Sequence, residues 1–321
     1  MRFLGLCLLF LSLPTLAGIQ LTTQIVDVDY GKKTNDDVLV FLSSGHVAKL
    51  NRSEKSLTSH VDLALNSHEY LNISLDDNRF IQGMNKAVVV PTMKMDTSTP
   101  VKSVLEQYVP TTVESMEKAK QYFREQRHAA KPETQCFNRA HVWSYEWWKA
   151  HSLRSQKLLI FFSRNYIRRY DFEWWFHIAP YIHVMDNGKV LERVMDKKYS
   201  GGPLSFRKWA NIFLRNDAPC PVITKYSDYA ENPYTGECYL YRTHMYSYQP
   251  ADLQMYEAWG YTKNAFNMNE VKGAYLEAFT AAPPTGGVEG GATGGETSGT
   301  EGGTAGGTTG GSTGETTGGT F

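Results

Sequence analysis

The feature that most constrains this chain is an Asn-Gly pair between two strand-like runs. Residues 177–184 and 189–196 carry the apolar and β-branched side chains typical of strands. Asn187 and Gly188 suit the centre of a type I′ turn, which needs positive φ at both positions. Counting outward from that turn places Ala179 opposite Asp196. The sequence therefore predicts an antiparallel hairpin with a defined register.

The predicted register brings an imidazole and a carboxylate together. Side chains alternate between the faces of a strand, so His177 and Asp196 share one face as diagonal neighbours. A slip of one residue would separate them onto opposite faces. The same count sets His183 opposite Glu192, roughly 20 Å away at about 3.3 Å per residue. That second pair is either a rival site or a solvated cross-strand pair.

A helix predicted over residues 134–150 would place a thiol near this hairpin. Thr134 is a plausible N-cap, and Cys136 then lies in the first turn. An apolar stripe at helical spacing turns Cys136 inward; the stripe consists of Cys136, Ala140, Trp143, Trp147 and Ala150. The positive end of the helix dipole favours a thiolate at that position. The alternative is a buried core cysteine or half of a disulfide.

The number of cysteines bears on that alternative. The chain has four, and Cys7 lies in a segment that we expect to be removed. Three cysteines then remain, and an odd number in an exported protein points to one free thiol. Cys220 and Cys238 flank a turn-rich stretch and are close in sequence. A Cys220–Cys238 disulfide is the simplest assignment, and it leaves Cys136 free.

Both ends of the chain are predicted to lie outside the folded part, and the N-terminal end predicts export. Residues 1–17 combine one positive charge, a short apolar run and a small residue at the end, as in a secretory signal peptide. That run is too short for a membrane span, and we expect an exported protein without one. Residues 283–321 consist almost entirely of Gly, Thr, Ser and Glu, which predicts a disordered tail. The tail could be a spacer, a surface tether or a glycosylated stalk.

The part between these ends divides into three predicted segments. Residues 18–92 form a small α+β domain, residues 93–112 a linker, and residues 113–282 the domain with the candidate site. Strands are predicted at 24–28, 38–42, 46–50 and 70–75, and helices at 54–66 and 113–129. Residues 205–280, rich in Tyr and Trp, are expected to be irregular with short helices.

Composition and motifs exclude several functions. The 33 basic and 33 acidic side chains leave no net charge, which gives no support for nucleic-acid binding. No metal-site spacing and no phosphate-binding loop is visible, so we expect neither a metal nor another cofactor. The pairs Trp147-Trp148 and Trp174-Trp175 could line a substrate groove beside Cys136 and His177, with one member of each pair in the core. Trp175 is the candidate for the groove wall. Ser200 and Gly201 follow Asp196 and form either a plain turn or backbone that approaches the substrate.

Three blocks resemble one known family. Residues 135–141 (Gln-Cys-Phe-Asn-Arg-Ala-His), 176–179 (Phe-His-Ile-Ala) and 193–196 (Arg-Val-Met-Asp) are similar to segments of bacterial protein glutaminases, which are protein-glutamine deamidases. The resemblance covers roughly residues 130–215. More faintly, residues 38–84 resemble the inhibitory pro-region of that family.

The resemblance implies an α+β fold with a papain- or transglutaminase-like core, in which a cysteine-bearing helix packs on an antiparallel sheet. It implies hydrolytic deamidation of protein- or peptide-bound glutamine through a thioester. Cys136 would be the nucleophile, His177 the base, and Asp196 the residue that orients the base. Partners would be proteins or peptides with an exposed glutamine, and the N-terminal domain would act as an intramolecular inhibitor.

Two other functions fit the same residues. With a lysine amine as acceptor the site would act as a transglutaminase, and with a peptide bond as donor it would act as a cysteine protease. A non-enzymatic exported binding protein, with Cys136 as a structural residue, is the third possibility.

Overall fold

A computed structural model describes residues 18–33, 36–88, 108–128, 134–260 and 262–279. The predicted signal peptide and tail lie outside the described residues, and so does most of the predicted linker. Among the described helices, none is long and apolar enough to cross a membrane.

The N-terminal part, residues 18–88, contains two antiparallel three-stranded sheets and one helix. The first sheet has the order β1-β5-β6 and the second the order β2-β3-β4. The elements are β1 (Ile19–Thr23), β2 (Ile25–Asp29), β3 (Val38–Leu42), β4 (Val47–Leu50), α1 (Lys55–Ser67), β5 (Leu71–Leu75) and β6 (Ile81–Lys86). The predicted strands and helix of this part are confirmed. The prediction missed β1 and β6, because their polar side chains weaken the strand pattern.

Strand β3 is buried on both faces. Val38, Val40 and Leu42 pack into the core of the N-terminal part. Leu39 and Phe41, on the other face, pack into the core of the remaining chain. A strand covered on both sides is expected to be apolar throughout, as this one is. The β2-β3-β4 sheet is therefore a layer that packs on both the N-terminal core and the rest of the molecule.

The larger part is built on one six-stranded sheet with the order β10-β9-β8-β12-β11, in which β7 also pairs with β9. The pairs β7–β9 and β11–β12 are parallel and the others antiparallel. The strands are β7 (Thr112–Val113), β8 (Gln156–Phe162), β9 (Phe176–Asp186), β10 (Lys189–Val194), β11 (Val222–Ile223) and β12 (Cys238–His244). The helices are α2 (Met116–Glu125), α3 (Cys136–His151), α4 (Arg164–Tyr170), α5 (Phe206–Phe213), α6 (Tyr226–Ala230), α7 (Pro250–Trp259) and α8 (Met268–Ala278).

The predicted hairpin and its register are confirmed. Asn187 and Gly188 have φ of 48° and 75°, as a type I′ turn requires. His183 pairs with Glu192, and the ladder between β9 and β10 has no register shift. The turn chemistry thus determined which residues share a face.

The predicted fold class is confirmed. Helix α3 packs against strand β9, so a cysteine-bearing helix lies on a mainly antiparallel sheet. The helix begins at Cys136 with Gln135 as N-cap, one residue later than a Thr134 cap predicts.

Strand β12 was missed. Residues 238–244 belong to the stretch that we expected to be irregular, yet they pair with all seven residues of β8 and lie between β8 and the edge strand β11. Side chains on both faces of β12 are buried, so its sequence does not alternate between polar and apolar residues. Only the tertiary partners of this strand reveal it.

Candidate active site

Cys136 is the first residue of α3. Its side chain is partly exposed, and its thiol is free. The first N–H groups of a helix have no acceptor within the helix, and they carry the positive end of its dipole. The sulfur therefore lies where developing negative charge is favoured.

His177 and Asp196 are joined by the hairpin. His177 is the second residue of β9, and Asp196 follows the end of β10. The distance between His177 Nε2 and Asp196 Oδ2 is 2.7 Å, and each residue is only 1% exposed. The side chain of Cys136 hydrogen bonds with His177. Since Nε2 is engaged by Asp196, we expect Nδ1 to be the ring nitrogen that faces the thiol. All three predicted site residues thus meet.

Neighbouring charges determine the protonation of this pair. Burial alone would lower the pKa of His177, but its interactions with Asp196 and Cys136 outweigh burial and raise the pKa to about 9. Burial alone would raise the pKa of Asp196. Its interaction with His177 and its hydrogen bond from Trp209 lower that pKa instead. The site therefore favours an imidazolium beside a carboxylate.

Three aromatic side chains surround His177, and the sequence interpretation missed two of them, Trp209 and Tyr199. Trp209 Nε1 donates to Asp196 Oδ2 at 2.9 Å. Trp174 stacks on the imidazole with ring centroids 5.8 Å apart, and Tyr199 meets it edge-on at 5.1 Å. The Trp-Trp pair at 174–175 was a signal for aromatic groove residues. Which member of the pair faces the site depends on the path of the chain just before β9.

Arg139 is a further residue that the sequence interpretation missed. It is one turn along α3 from Cys136, is 3% exposed, and contributes to the wall of the cleft. Its Nη1 donates to the carbonyl oxygen of Thr134 and, at 2.6 Å, to Thr134 Oγ1. Its positive charge also helps to lower the pKa of Asp196. Arg139 therefore fixes the position of Thr134, just before the first turn of α3.

The cleft around Cys136 is a cavity of about 250 Å³ with walls from two parts of the chain. Cys136, His177 and Tyr199 line one side, whereas Ser44, Gly45, His46 and Arg79 line the other. The turn between β3 and β4 is held there by main-chain hydrogen bonds. Trp175 N donates to Gly45 O at 3.0 Å, and Val47 N donates to Glu173 O at 2.7 Å. Residues 43–46 thus stand over the cleft.

The predicted groove residues are placed elsewhere. Trp175 lines a separate cavity of about 140 Å³, and its Nε1 donates to Leu42 O at 2.8 Å. Ser200 Oγ donates to the main-chain oxygens of Asp196 and Gly202, each at 2.9 Å, so it braces the turn after Asp196. Gly201 is exposed. None of the three lines the cavity at Cys136.

The predicted Cys220–Cys238 disulfide is present. The rival pair does not approach the thiol: Glu192 bonds Arg242 Nη2 at 2.9 Å, and neither His183 nor Glu192 lines the cleft. In the described part of the chain, no group of three or more His, Cys, Asp or Glu side chains is placed to hold a metal ion.

Residues 113–213 match a family model named Gln_deamidase_2 and described as glutaminase. The resemblance to the glutaminase family is confirmed for this segment. The glutaminase segment runs from β7 to the end of α5, and it contains Cys136, His177 and Asp196. No curated protein matches the chain.

Among solved structures, a crystal structure of pro-protein-glutaminase is 13% identical, with a TM-score of 0.47, over 83% of this chain and 97% of that one. An NMR structure of protein-glutaminase from Chryseobacterium proteolyticum is 14% identical, with a TM-score of 0.34, over 55% of this chain and 95% of that one. Both likenesses are distant.

Proposed function

We propose that this protein is an exported hydrolase that converts protein- or peptide-bound glutamine to glutamate with release of ammonia. The observation that carries the proposal is the contact of Cys136 with His177, and of His177 with Asp196, inside the segment that matches the glutaminase family. Export is supported by the disulfide, which is typical of oxidising compartments.

The first half of the reaction forms a thioester. The Cys136 thiolate attacks the carboxamide carbon of glutamine, and the carbonyl oxygen takes up the negative charge. The main-chain N–H of Cys136, at the start of α3, helps to stabilise that oxyanion. The His177 imidazolium gives its proton to the departing nitrogen, the C–N bond breaks, and ammonia leaves. The raised pKa of His177 suits this role as an acid at neutral pH.

The second half of the reaction hydrolyses the thioester. His177, now neutral, takes a proton from water, and the resulting hydroxide attacks the thioester carbon. The C–S bond breaks, glutamate is released, and the Cys136 thiolate is restored beside the imidazolium. Asp196 holds the ring through Nε2, so that Nδ1 faces the sulfur throughout.

We further propose that residues 18–92 form a domain that keeps the enzyme inactive, joined by a linker at 93–112 to a catalytic domain at 113–282. The turn at 43–46 supports this, since it stands over the cleft. Main-chain hydrogen bonds join Gly45 and Val47 to the two chain neighbours of Trp174. Cleavage between residues 90 and 135 would then allow the domain to leave.

The test is ammonia release from a glutamine-rich protein before and after limited proteolysis in that region. The cleaved wild type should release ammonia, and Cys136→Ala should release none. Mass spectrometry of the treated protein should show a gain of about one dalton per site, as expected for hydrolysis of an acyl-enzyme. Crosslinked products or shortened chains would instead assign a transglutaminase or a protease, and ammonia release by Cys136→Ala would exclude the proposed nucleophile.

A further inference from the structure

Two arginines on α4 face residues 18–88. Arg164 and Arg168 are one helical turn apart, and each bonds a carboxylate of β2. Arg164 Nη2 bonds Asp27 Oδ2, and Arg168 Nε donates to Asp29 Oδ2 at 2.8 Å. Asp27 and Asp29 are two residues apart on the strand, so they present their carboxylates with the spacing of one strand face.

These contacts are partly or wholly desolvated, and the catalytic part supplies no carboxylate to them. Asp29 is only 3% exposed, and the Arg164 guanidinium lies over the rings of Phe41 and Tyr234, at 5.2 and 5.3 Å. In the described part of the chain, the carboxylates bonded to Arg164 and Arg168 come only from β2. Arg169, the next residue along α4, differs, because it bonds Glu237 of the catalytic part at 2.5 Å.

The arginine pair is connected to the cleft through Trp175. Arg164 lines the 140 Å³ cavity together with Trp175, and the main chain of Trp175 bonds the turn that stands over Cys136. Trp175 Nε1 also donates to residues 18–88, at Leu42 O. At one edge the charges are reversed, since Lys49 and Arg79 of residues 18–88 bond the exposed Asp171.

The removal of residues 18–88 would take hydrogen-bond acceptors away from Arg164, Arg168 and Trp175. The guanidinium groups of Arg164 and Arg168 would lose their carboxylate partners, and the indole and main-chain N–H groups of Trp175 would lose their carbonyl acceptors. Guanidinium groups in this state bind carboxylates best, because those hydrogen bonds are charge-assisted.

From this arrangement, and on the basis of the proposed function, we infer that Arg164 and Arg168 form a docking site for acidic segments of protein substrates. In the full chain, Asp27 and Asp29 occupy that site. The inference names a substrate class: extended segments that carry two carboxylates at alternate positions near the reactive glutamine.

The full chain also indicates how far the acidic residues of a substrate should lie from its glutamine. Asp27 pairs with Phe41 and Asp29 with Leu39, and these partners precede Gly45 in the cleft by four and six residues. If a substrate segment follows the path of β3, acidic residues about four and six positions before its glutamine would reach Arg164 and Arg168.

The test uses the protein after limited proteolysis and two peptides with one glutamine each. One peptide carries Asp at the fourth and sixth positions before the glutamine, and the other carries Asn there. For the wild type, kcat/KM should be about tenfold higher with the acidic peptide, as two partly exposed charge-assisted pairs allow. The variant with Arg164→Gln and Arg168→Gln should treat both peptides alike. The matched control Arg169→Gln should keep the preference, and 0.5 M salt should weaken it.

The outcomes separate the two proposals. Equal rates for both peptides in the wild type, or a preference that persists in the double variant, would overturn the docking site while deamidation stands. A double variant that is active before proteolysis, with no acidic preference in any cleaved form, would show that the arginines serve residues 18–88 alone. Absence of ammonia from both peptides would overturn the proposed function, and the docking site with it.

Discussion

Two buried histidines, one on α3 and one beside its first residue, have opposite acid–base character. His177 lies beside Asp196, and its pKa is raised to about 9. His141, on the helix itself, bonds Lys157 Nζ at 2.8 Å through Nδ1. Burial first, and then the nearby ammonium, holds the pKa of His141 well below its usual range. Burial favours a neutral ring in both, so the charge of the neighbour decides the difference.

On the proposed function, the comparison separates a reactive histidine from a structural one. His177 reaches a partly exposed thiol, whereas His141 lies in a closed polar cluster. In that cluster Lys157 also bonds the main-chain oxygen of Ser247, and Lys263 nearby bonds Asp252. Both histidines belong to the blocks that resemble glutaminases. We therefore expect changes around His177 to act on rate and changes around His141 to act on stability.

The largest effect is expected at Asp196. Asp196→Asn removes the charge that raises the pKa of His177, so the imidazolium is lost at lower pH and the ring tautomer is no longer enforced. On the proposed function, we expect kcat/KM for ammonia release to fall about 10³- to 10⁴-fold, as when the carboxylate that orients a catalytic histidine loses its charge. The alkaline limb of the pH profile of kcat/KM, near pH 9 in the wild type, should move to lower pH. Asp186→Asn, at the far end of the hairpin, is the control. An unchanged pH profile would contradict the assigned role.

Lys157 tests the other side of the comparison. Lys157→Met should leave His141 Nδ1 and the Ser247 carbonyl without their donor. We expect a loss of about 2–4 kcal/mol in the free energy of unfolding, measured by urea denaturation, because buried acceptors lose their partner. Catalysis should change little while the protein remains folded. Lys272→Met, at an exposed position of α8, should change neither quantity. A rate loss as large as that of Asp196→Asn would break the distinction.

Trp209 is expected to have a smaller effect. Trp209→Phe keeps most of the packing and removes the donor to Asp196 Oδ2. A decrease of about tenfold in kcat/KM and of about 1 kcal/mol in stability is expected for one hydrogen bond to a buried charge. Trp259→Phe, at a residue that is 59% exposed, provides the comparison. If both variants behave like the wild type, the carboxylate is held by other contacts.

A third histidine extends the comparison to the turn over the cleft. Burial first, and then the charge of Arg79, lowers the pKa of His46 to about 4. With an unfolded pKa near 6.5, its contribution to stability is fully present above pH 6.5 and is lost as the pH falls towards 4. Between pH 7 and 5 the full chain should therefore lose about 1–2 kcal/mol more stability than His46→Gln.

Thermal or urea unfolding of the full chain at several pH values measures this difference. His60→Gln, at an exposed position of α1, should follow the wild type. If stability depends on pH in the same way for the wild type and His46→Gln, protonation of the His46 ring does not destabilise the folded full chain.

Local signals in the sequence predicted much of the site. The Asn-Gly turn determines the register of the hairpin, and the register places His177 near Asp196. The helical stripe and the cysteine count predicted a free thiol at the start of a helix. The prediction failed where packing on both faces removes the pattern, as in β12, and where a short polar strand needs a partner, as in β1 and β6.

By itself, the sequence determined the hairpin, the thiol-bearing helix, the disulfide and the glutaminase resemblance, because each depends on local turn chemistry, periodicity or counting. Only the tertiary structure decided that Trp174 rather than Trp175 stacks on His177, and that Arg139 and Trp209 support the site. It also decided that the turn at 43–46 covers the cleft. These contacts join residues far apart in the chain, and their energies arise only when packing excludes water between them.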